Sequence, residues 1–262
     1  MALFQKIISD VRKDIKIRKN NFQYVEKVEN KLKTSLHKKC IDFPVFGKGN
    51  TIIAEIKMRS PSSGKISRKW DNPIKMAKEY SKGGASAISV LTEKKHFGGS
   101  LEYIEEVKKA VNIPVMRKDF IIDKFQIQEA RAFGADGILL IENLAKKSLC
   151  SMLDYAHVLG MWAIVETNTK EEIQSSLNAG TEIIGINNRD LKTMKVDIKK
   201  SVRLSKYVPE ENILVVESSI NGLKDIKYLK ENCERIPDAF LVGTYLTKSK
   251  NRTRDTKELV MA

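Results

Sequence analysis

Short apolar runs alternate along the chain with longer stretches in which apolar residues recur every three or four positions. Runs rich in Val, Ile and Leu are typical of buried strands, and the longer period is typical of amphipathic helices. Helical stretches separate consecutive strands, and in residues 72–84 and 170–180 a glycine marks the end of the helix. The pattern predicts eight strands, at residues 51–57, 86–91, 113–118, 137–142, 162–166, 183–187, 213–217 and 239–243.

Strands that alternate with helices pair in parallel, because each helix carries the chain back to the starting edge of the sheet. Eight such units over about 200 residues favour a closed (β/α)8 barrel, the TIM barrel, over an open doubly wound sheet. No Pro/Ser-rich linker interrupts the chain. We therefore predict an α/β fold with one domain over residues 1–262, in which residues 1–50 are a helical extension and residues 51–262 the barrel.

The first twenty residues predict an amphipathic helix, with apolar side chains on one face and charges on the other. The apolar positions are Phe4, Ile7, Ile8, Val11 and Ile15. A basic amphipathic helix can also be a membrane anchor or a transit peptide, but the acidic Asp10 and Asp14 argue against both. We therefore expect this helix to pack on the protein's own body, over the mouth or the side of the barrel.

The chain is basic, with 47 Lys and Arg residues against 33 Asp and Glu residues and a net charge of +14. A lysine-rich solvated surface explains this excess, and a surface that recruits anionic substrates or nucleic acid is the alternative. Three widely separated cysteines indicate neither a disulfide scaffold nor a zinc site. No apolar run reaches the ~18 residues of a membrane span, and the first residues lack a signal-peptide pattern. We expect a cytoplasmic protein.

Charged and polar side chains gather where five of the eight predicted strands end. They are Glu55 and Lys57, then Arg117, Lys118 and Asp119, then Glu166, then Asn187 to Asp190, and finally Glu217 and Ser218. Side chains alternate along a strand, so Glu55 and Lys57 point to the same face. Burying ionised groups is costly unless they pair. A structural ion pair explains any one of these residues alone, but five such strand ends together predict an active site at the carboxyl end of the barrel.

The loops after strands 7 and 8 carry small residues that suit an anion site. TIM barrels commonly bind phosphate in these loops through backbone N–H groups. The two loops read ESSING and VGTYLTKS, residues 217–222 and 242–249. Small side chains let the backbone approach an anion closely. The predicted phosphate-binding residues are Ser218, Ser219, Gly243 and Thr244.

The stretch AEIKMRSPSSGKI, residues 54–66, resembles the signature of the indole-3-glycerol phosphate synthase family. Further stretches similar to that family reach every predicted strand, and the amphipathic helix resembles the family's N-terminal extension. They are residues 89–100, 113–123, 135–141, 163–172, 184–191, 215–220 and 240–246. The resemblance implies a carboxy-lyase of tryptophan biosynthesis with the TIM-barrel fold.

The resemblance also implies a substrate, an anionic phosphosugar. In the reaction, 1-(2-carboxyphenylamino)-1-deoxyribulose 5-phosphate becomes indole-3-glycerol phosphate, with release of carbon dioxide and water. No metal and no organic cofactor are implied. As to partners, we expect no nucleic acid and no membrane, and a monomer or a weak homodimer. Association with other enzymes of the tryptophan pathway stays open.

The same resemblance implies roles for the charged residues. Lys118 matches the general acid that protonates the ketone oxygen, and we expect desolvation and the neighbouring cation of Arg117 to lower its pKa. Glu166 matches the base or proton shuttle of the dehydration. Lys57 matches a residue that faces the anionic substrate, and Glu55 one that organises the charges. Which proton transfers belong to Lys57 and which to Lys118 stays open.

Five further residues match substrate-binding positions of the family. They are Ser60, Phe97, Phe120, Asn187 and Arg189. The two phenylalanines would flank the aromatic ring of the substrate, and the Asn and Arg would position the intermediate. Glu217 matches the acid at the end of strand 7, and the four phosphate-binding candidates match the family's phosphate loops.

Two positions and one loop depart from the family's usual pattern. Ser219 stands where Gly is usual, and if the backbone there needs a positive φ we expect a strain of about 1 kcal/mol or more. The loop GTYLTKS replaces the more usual GESLM or GSSLM type, and Met58 stands where Lys or a small polar residue is commoner. These changes concern phosphate affinity and leave the acid and base positions intact.

Three other functions fit parts of the sequence. Phosphoribosylanthranilate isomerase shares the phosphate loops, but it would need a Cys and Asp pair, and no Cys lies at the end of strand 1. A nucleic-acid-binding protein would fit the charge of +14, but the chain has no helix-turn-helix, no aromatic-rich RNA motif and no basic tail. A barrel that kept the fold and lost turnover would act as a binding or scaffold subunit.

Overall fold

Eight parallel strands pair in chain order, and the last pairs with the first, so the sheet closes into a barrel. The computed structural model describes residues 3–44, 49–61, 64–67, 71–190 and 193–262. The strands are β1 Thr51–Ile56, β2 Ala87–Leu91, β3 Val115–Lys118, β4 Gly137–Ile141, β5 Trp162–Thr167, β6 Ile183–Asn187, β7 Ile213–Glu217 and β8 Ala239–Val242. All eight predicted strands are confirmed, and every boundary lies within two residues of its predicted position.

Helices precede, connect and follow the strands of the barrel. They are α1 Leu3–Lys19, α2 Phe22–Leu36, α3 Pro73–Lys82, α4 Lys94–Phe97, α5 Glu102–Ala110, α6 Lys124–Ala132, α7 Glu142–Ala145, α8 Leu149–Val158, α9 Lys170–Asn178, α10 Lys199–Leu204, α11 Leu223–Asn232, α12 Thr244–Lys248 and α13 Arg252–Val260. The described elements also include the 3₁₀ turns Lys146–Ser148 and Ser205–Tyr207, and a short hairpin that pairs Arg59–Ser60 with Gly64–Lys65. The helical stretches predicted at 72–84 and 170–180 contain α3 and α9.

Residues at the ends of α3 and α9 explain why these helices begin and stop where they do. The side chains of Asn72 and Thr169 accept hydrogen bonds from backbone N–H groups of the first turn, which would otherwise have no partner. Gly84 and Gly180 follow the two helices with φ values of 90° and 80°. Residues other than glycine rarely adopt this backbone conformation. The glycine thus lets each helix end and the chain turn into the next strand.

The side chains inside the barrel lie in layers to which alternate strands contribute, and the strand registers define three of them. The first layer is Ile53, Met116, Ile164 and Val215, the second is Ser89, Leu139, Gly185 and Leu241, and the third, towards the carboxyl end, is Glu55, Lys118, Glu166 and Glu217. The first layer is apolar and fully buried. We call the third the ionisable layer and the carboxyl end of the barrel its mouth. The alternation of faces thus separates the apolar core from the charged groups.

Helix α1 lies over the mouth with its apolar face inward. Ile7, Ile8, Val11 and Ile15 are buried and belong to the same hydrophobic cluster as the interior side chains of the barrel. Burying about four such side chains is a strong driving force for docking, since each contributes roughly 1.5–3 kcal/mol. The predicted amphipathic helix therefore packs on the protein's own body, as expected from its pattern.

A buried carboxylate on α6 attaches the N-terminal helices to the barrel. Glu129 is fully buried and accepts hydrogen bonds from Arg18 Nε of α1 at 2.7 Å and from the Tyr24 hydroxyl of α2 at 2.9 Å. Arg117 Nη1 of β3 donates a third at 3.2 Å. Because charge-assisted bonds are strong where water is excluded, this cluster fixes α1 and α2 relative to the strand that carries Lys118.

Candidate active site

A cavity of about 340 Å³ opens at the mouth of the barrel. The strand ends of β1, β3, β5, β6 and β7, the loops after β7 and β8, and helix α1 all contribute to its wall. All fourteen residues predicted from the sequence as catalytic, substrate-binding or phosphate-binding lie in this wall. They are Glu55, Lys57, Ser60, Phe97, Lys118, Phe120, Glu166, Asn187, Arg189, Glu217, Ser218, Ser219, Gly243 and Thr244. The tertiary structure therefore brings the whole predicted set together.

Lys118 lies between two carboxylates at the floor of the cavity. Its Nζ donates a hydrogen bond to Glu217 Oε2 at 2.7 Å and lies 3.5 Å from Glu166 Oε2. The other oxygen of Glu166, Oε1, accepts a hydrogen bond from Asn187 Nδ2 at 2.8 Å. The side chains of Glu166 and Glu217 are only 3% and 1% exposed. This arrangement places a proton donor and two proton acceptors within a few ångströms of one another.

A second ion pair, on β1, lies beside the first. Lys57 Nζ donates a hydrogen bond of 2.5 Å to Glu55 Oε1. The two side chains share one face of the strand, as the two-residue spacing predicts, and both line the cavity. Burial by itself raises the pKa of Glu55, but the cations of Lys57 and Lys118 outweigh it and hold that pKa below its usual value. Glu55 is therefore ionised at neutral pH.

The pKa of Lys118 is raised rather than lowered, which corrects the expectation from the sequence. Burial by itself lowers the pKa of this ammonium group, but the carboxylates of Glu217, Glu166 and Glu55 outweigh burial and raise the pKa above its usual value. The guanidinium group of Arg117 is directed to the other face of β3, where its Nη2 donates to Asp119 Oδ2 at 2.8 Å. Neighbouring residues of a strand point to opposite faces, so Arg117 does not act on Lys118 as a neighbouring cation.

Glu217 holds a proton more tightly than an ordinary glutamate. Burial raises its pKa, Lys118 opposes that rise, and the charge of Glu166 adds to it, so that the pKa reaches about 7. One oxygen, Oε1, is buried and has no hydrogen-bond partner among the described residues. Glu217 is thus poised to exchange a proton with Lys118 or a ligand near neutral pH.

The residues after β6 are held by the backbone as well as by side chains. Asn187 Oδ1 accepts a hydrogen bond from the backbone N–H of Arg189 at 2.9 Å, and Arg189 Nη1 donates to the carbonyl of Met194 at 3.0 Å. Lys200 of α10 donates to the carbonyl of Asn187 at 2.9 Å. Lys200 is not predicted from the sequence, because nothing in its helix indicates that it reaches the end of β6.

Aromatic side chains form one side of the cavity. The rings of Phe97 and Phe120 lie 6.0 Å apart, and Phe4 of α1 packs edge-on to Phe120 at 6.1 Å. Gln126, in the first turn of α6, holds this loop, since its Nε2 donates to the carbonyl of Phe120 at 3.0 Å. Phe4 and Ile7 were predicted as apolar positions of a helix and not as cavity residues. Their helical spacing indicated burial, but only docking of α1 decides what they contact.

Apolar side chains from three strands also line the cavity. Leu91, Leu139, Ile141 and Leu241 all line it. They lie at the alternating interior positions of β2, β4 and β8, so strand periodicity could have identified them. The cavity therefore combines apolar side chains from β2, β4 and β8 with charged side chains from β1, β3, β5 and β7, which suits a ligand with an aromatic ring and anionic groups.

The loop after β7 has an unusual backbone. Ser218 and Ser219 have φ values of 65° and 61°, in the left-handed region that favours glycine. The positive φ on which the predicted strain at Ser219 depends is thus present. Ser219 Oγ is buried and has no hydrogen-bond partner among the described residues. In the loop after β8, Gly243 directly precedes α12, and both loops line the same end of the cavity.

Parts of the quoted motifs lie outside the described residues, namely Ser62, Ser63 and Leu191. Among the residues that the structure describes, no group of three or more His, Cys, Asp or Glu side chains is arranged to hold a metal ion. None of the helices in that same part of the chain combines the length and the hydrophobicity of a membrane-spanning segment.

Comparison with known proteins identifies close relatives. The chain is 46% identical over 213 residues to the indole-3-glycerol phosphate synthase of Aquifex aeolicus, covering 81% of this chain and 82% of the relative. It is 40% identical over 252 residues to the indole-3-glycerol phosphate synthase of Aliarcobacter butzleri, covering 94% of each. Among solved structures, KGPDC from Streptococcus mutans matches with a TM-score of 0.61 at 14% identity, over 80% of this chain and 95% of that one. At that identity the likeness concerns the fold alone.

The family model of indole-3-glycerol phosphate synthase matches residues 4–259, nearly the whole chain. The match includes α1 and every strand of the barrel. The enzymes of Aquifex aeolicus and Aliarcobacter butzleri, which are 46% and 40% identical to this chain, agree with this match. The resemblance found in the sequence motifs is therefore confirmed, and the chain belongs to the indole-3-glycerol phosphate synthase family.

Proposed function

We propose that this protein closes the indole ring of indole-3-glycerol phosphate in tryptophan biosynthesis, and that the ionisable layer carries the proton transfers. The substrate is 1-(2-carboxyphenylamino)-1-deoxyribulose 5-phosphate, and the products are indole-3-glycerol phosphate, carbon dioxide and water. The observation that carries the proposal is the position of Lys118 between Glu217 and Glu166 on the floor of a cavity whose lining includes the rings of Phe97 and Phe120. Family membership supplies the reaction, and the geometry supports the roles of the residues.

Ring closure requires a proton donor at the ketone. The ring carbon that bears the carboxylate attacks the ketone carbon, and the carbonyl oxygen takes a proton as the new carbon–carbon bond forms. Lys118 is the donor in our proposal, because its raised pKa keeps it charged at neutral pH. A partly buried ammonium group also stabilises the negative charge that develops on this oxygen.

Decarboxylation and dehydration follow on the same ring. When carbon dioxide leaves, the electrons of the broken bond restore the aromatic ring, so this step needs no base. The hydroxyl group then takes a proton from Lys57 or Lys118 and leaves as water, and a carbon-bound proton of the former sugar is removed. Glu166 is the proposed base, since it lies 3.5 Å from Lys118 and is held by Asn187. Lys118 and Glu166 could thus exchange the protons of both steps.

The substrate has an aromatic ring at one end and a phosphate at the other, and the cavity offers a different lining to each. Phe97 and Phe120 are proposed to flank the aromatic ring, because their rings form part of the apolar wall. The phosphate is proposed to bind Ser218, Ser219, Gly243 and Thr244 at the loops after β7 and β8. The ring and phosphate sites leave the charged floor between them for the reacting atoms.

Three more candidates contact the remainder of the substrate in this proposal, and a fourth holds one of them in place. Lys57 would face its carboxylate, with Glu55 holding Lys57 in place at 2.5 Å. Arg189 and Ser60 line the same cavity and would contact the polar chain of the sugar. Fixing several groups at once holds the ring carbon against the ketone, which is the main requirement for ring closure.

The localisation and the partners of the protein are also proposals, and they rest on its family membership. We propose that the enzyme works in the cytoplasm, where the free thiols of its three cysteines would stay reduced. A monomer or weak homodimer is sufficient for the proposed chemistry, because every candidate residue comes from one chain. Association with other enzymes of the pathway remains a prediction that gel filtration of mixed proteins would test.

The appearance of indole fluorescence tests the proposed function. The purified protein is mixed with the deoxyribulose phosphate substrate, beside the Lys118→Ala variant, whose fold is checked by circular dichroism. We expect turnover by the native protein and a decrease in kcat of at least ~100-fold in the variant, as for the loss of a general acid. Absence of turnover in both proteins would favour a binding or scaffold role. Near-native turnover in the variant would disprove the role of Lys118.

A further inference from the structure

Gly185 lies directly beneath the carboxylate of Glu217. It belongs to the second interior layer, whose other members are Ser89, Leu139 and Leu241. A Cβ atom at Gly185 would lie less than 3.0 Å from Glu217 Oε1 and 3.0 Å from Ile164 Cγ2. Real Cβ atoms essentially never approach another atom more closely than 3.0 Å. The space that a side chain would occupy is therefore filled by the carboxylate itself.

The two oxygens of Glu217 have different surroundings. Oε2 accepts the 2.7 Å hydrogen bond from Lys118. Oε1 is buried without a hydrogen-bond partner among the described residues, which is an unfavourable position for a carboxylate oxygen. This orientation is possible only where the layer below leaves room for Oε1. We propose that Gly185 is a positioning residue, whose missing side chain makes the recess that holds Glu217 Oε1 and thereby turns Oε2 towards Lys118.

Gly243 of the loop after β8 has a similar relation to a second carboxylate. A Cβ atom there would lie less than 3.0 Å from Glu55 Oε1 and 3.0 Å from Lys57 Nζ. Two of the three carboxylates in the ionisable layer thus rest against a glycine. Gly243 also belongs to the proposed phosphate site, so its substitution would change two things at once. Gly185 is outside the lining of the cavity, so a substitution there reaches the substrate only through other residues.

The expected effect of Gly185→Ala follows from packing. A rigid strand cannot move away from the new methyl group, so the Glu217 carboxylate has to shift by roughly half an ångström or more and its contact with Lys118 lengthens. Misplacement of a catalytic group by about 1 Å can reduce the rate by about 100-fold. This inference rests on the proposed function, in which Lys118 and its carboxylate partners transfer protons. We expect kcat to fall by about 10- to 100-fold with a change in KM of less than about threefold.

The titration of Glu217 gives a readout that a merely structural role would not change. The charged groups that face it are Lys118 of β3, Glu166 of β5 and Glu55 of β1, while α1 contributes only the apolar Phe4 and Ile7 to the cavity wall. If Lys118 lies farther away, the favourable cation is weakened and both carboxylates remain. The pKa of Glu217 should then rise above its native value of about 7.

The experiment compares four variants of the whole chain with the native protein. They are Gly185→Ala, Gly137→Ala, Glu217→Asp, and Gly185→Ala combined with Glu217→Asp. Gly137 is the matched control, since a Cβ there would clash with the ring of Trp162 at the opposite end of the barrel. The shorter side chain of Glu217→Asp withdraws from the recess and should leave room for the new methyl group. Each protein is characterised by melting temperature, kcat, KM and a carbon-13 NMR titration of the residue-217 carboxyl group, where it is folded.

Three results would support the proposal. Gly185→Ala lowers kcat at least 10-fold and raises the pKa of Glu217, whereas Gly137→Ala changes the melting temperature and leaves kcat within threefold. In the Glu217→Asp background, adding Gly185→Ala changes kcat by less than threefold. If Gly185→Ala alone does not fold, the double variant decides, because the shorter carboxylate should restore folding.

Other results would overturn it. These are a folded Gly185→Ala variant with native kcat, an equal loss of kcat in both backgrounds, or a folding defect that Glu217→Asp does not repair. If the native protein shows no turnover, the proposed function fails, but the NMR titration still decides the role of Gly185. An unchanged pKa of Glu217 in folded Gly185→Ala would then reject the positioning role.

Discussion

Lys118 Nζ and Glu217 Oε2 are joined by a 2.7 Å hydrogen bond across the interior of the barrel, from β3 to β7. The two side chains are only 16% and 1% exposed, so little water screens the interaction. Each charge makes the ionised form of the other less costly. The pair therefore keeps Lys118 charged while holding Glu217 close to its titration point, which is the state a proton-transfer site needs.

Replacing Glu217 with Gln should change how stability depends on pH. Burial raises the pKa of Glu217 from its ordinary 4.5 to about 7 in the folded protein. The folded state then holds the proton over a range in which the unfolded state has lost it, so this group's contribution is full below pH ~4.5 and is lost as the pH rises through ~7. Gln cannot titrate. The melting temperature of the variant, relative to the native protein, should therefore increase between pH 5 and pH 8.

Calorimetry of both proteins across this range provides the measurement, with the exposed Glu231→Gln as control. The control should differ from the native protein by a constant amount, because water surrounds an exposed carboxyl group in both the folded and the unfolded state. Lys118 does not interfere, since its raised pKa keeps its contribution constant below about pH 10. A Glu217→Gln difference that is the same at pH 5 and pH 8 would contradict the raised pKa.

Replacing Glu166 with Gln should remove the proposed base while keeping its size. We expect kcat to decrease by about 100-fold and KM to change little, because the substitution removes proton transfer and not a binding group. Steady-state indole fluorescence measures both constants. Glu171→Gln, at an exposed position of α9, serves as the control and should keep native kinetics. A decrease confined to KM would assign Glu166 to binding instead.

Replacing Ser219 with Gly should stabilise the protein. The φ of 61° at this residue costs a side chain of the L configuration roughly 1 kcal/mol, which glycine does not incur. Ser219→Ala removes the same hydroxyl group but keeps the strain. We therefore expect the Gly variant to melt about 2–4 °C above the Ala variant, as for a difference of about 1 kcal/mol in a chain of this size. Equal melting temperatures would show that the loop is not strained.

Replacing Glu129 with Gln should destabilise the fold strongly. The carboxylate accepts bonds from Arg18, Tyr24 and Arg117, and Arg117 is itself buried. The substitution takes one ionic partner from the buried Arg117, which keeps Asp119, and weakens the acceptor for Arg18 and Tyr24, so we expect a loss of about 2–3 kcal/mol. Urea unfolding measures this change. Asp14→Asn, which removes the more exposed partner of Arg18, should cost less than about 1 kcal/mol. Similar losses in the two variants would refute the central role of Glu129.

Residues 117 and 118 differ in how much of their environment local sequence pattern predicts. Their position at the end of a predicted strand correctly indicated that charged side chains lie near the mouth. Strand alternation also implied that only one of the two enters the cavity, but the expected effect of Arg117 on Lys118 ignored that separation. The pKa of Lys118 depends on Glu217 and Glu166, which lie 99 and 48 positions away along the chain. Distances of this kind are not encoded in local periodicity.

The sequence by itself determined the eight strands, the helical extension, the family and the fourteen residues of the candidate site, because periodicity, strand ends and motifs are local properties. Only the tertiary structure decided that α1 lies over the mouth, that Glu217 takes up the space above Gly185, and that Lys118 is held between two carboxylates. These relations depend on the register in which the barrel closes. Closure brings residues from distant strands into one layer, and the electrostatics of the site arise from that layer.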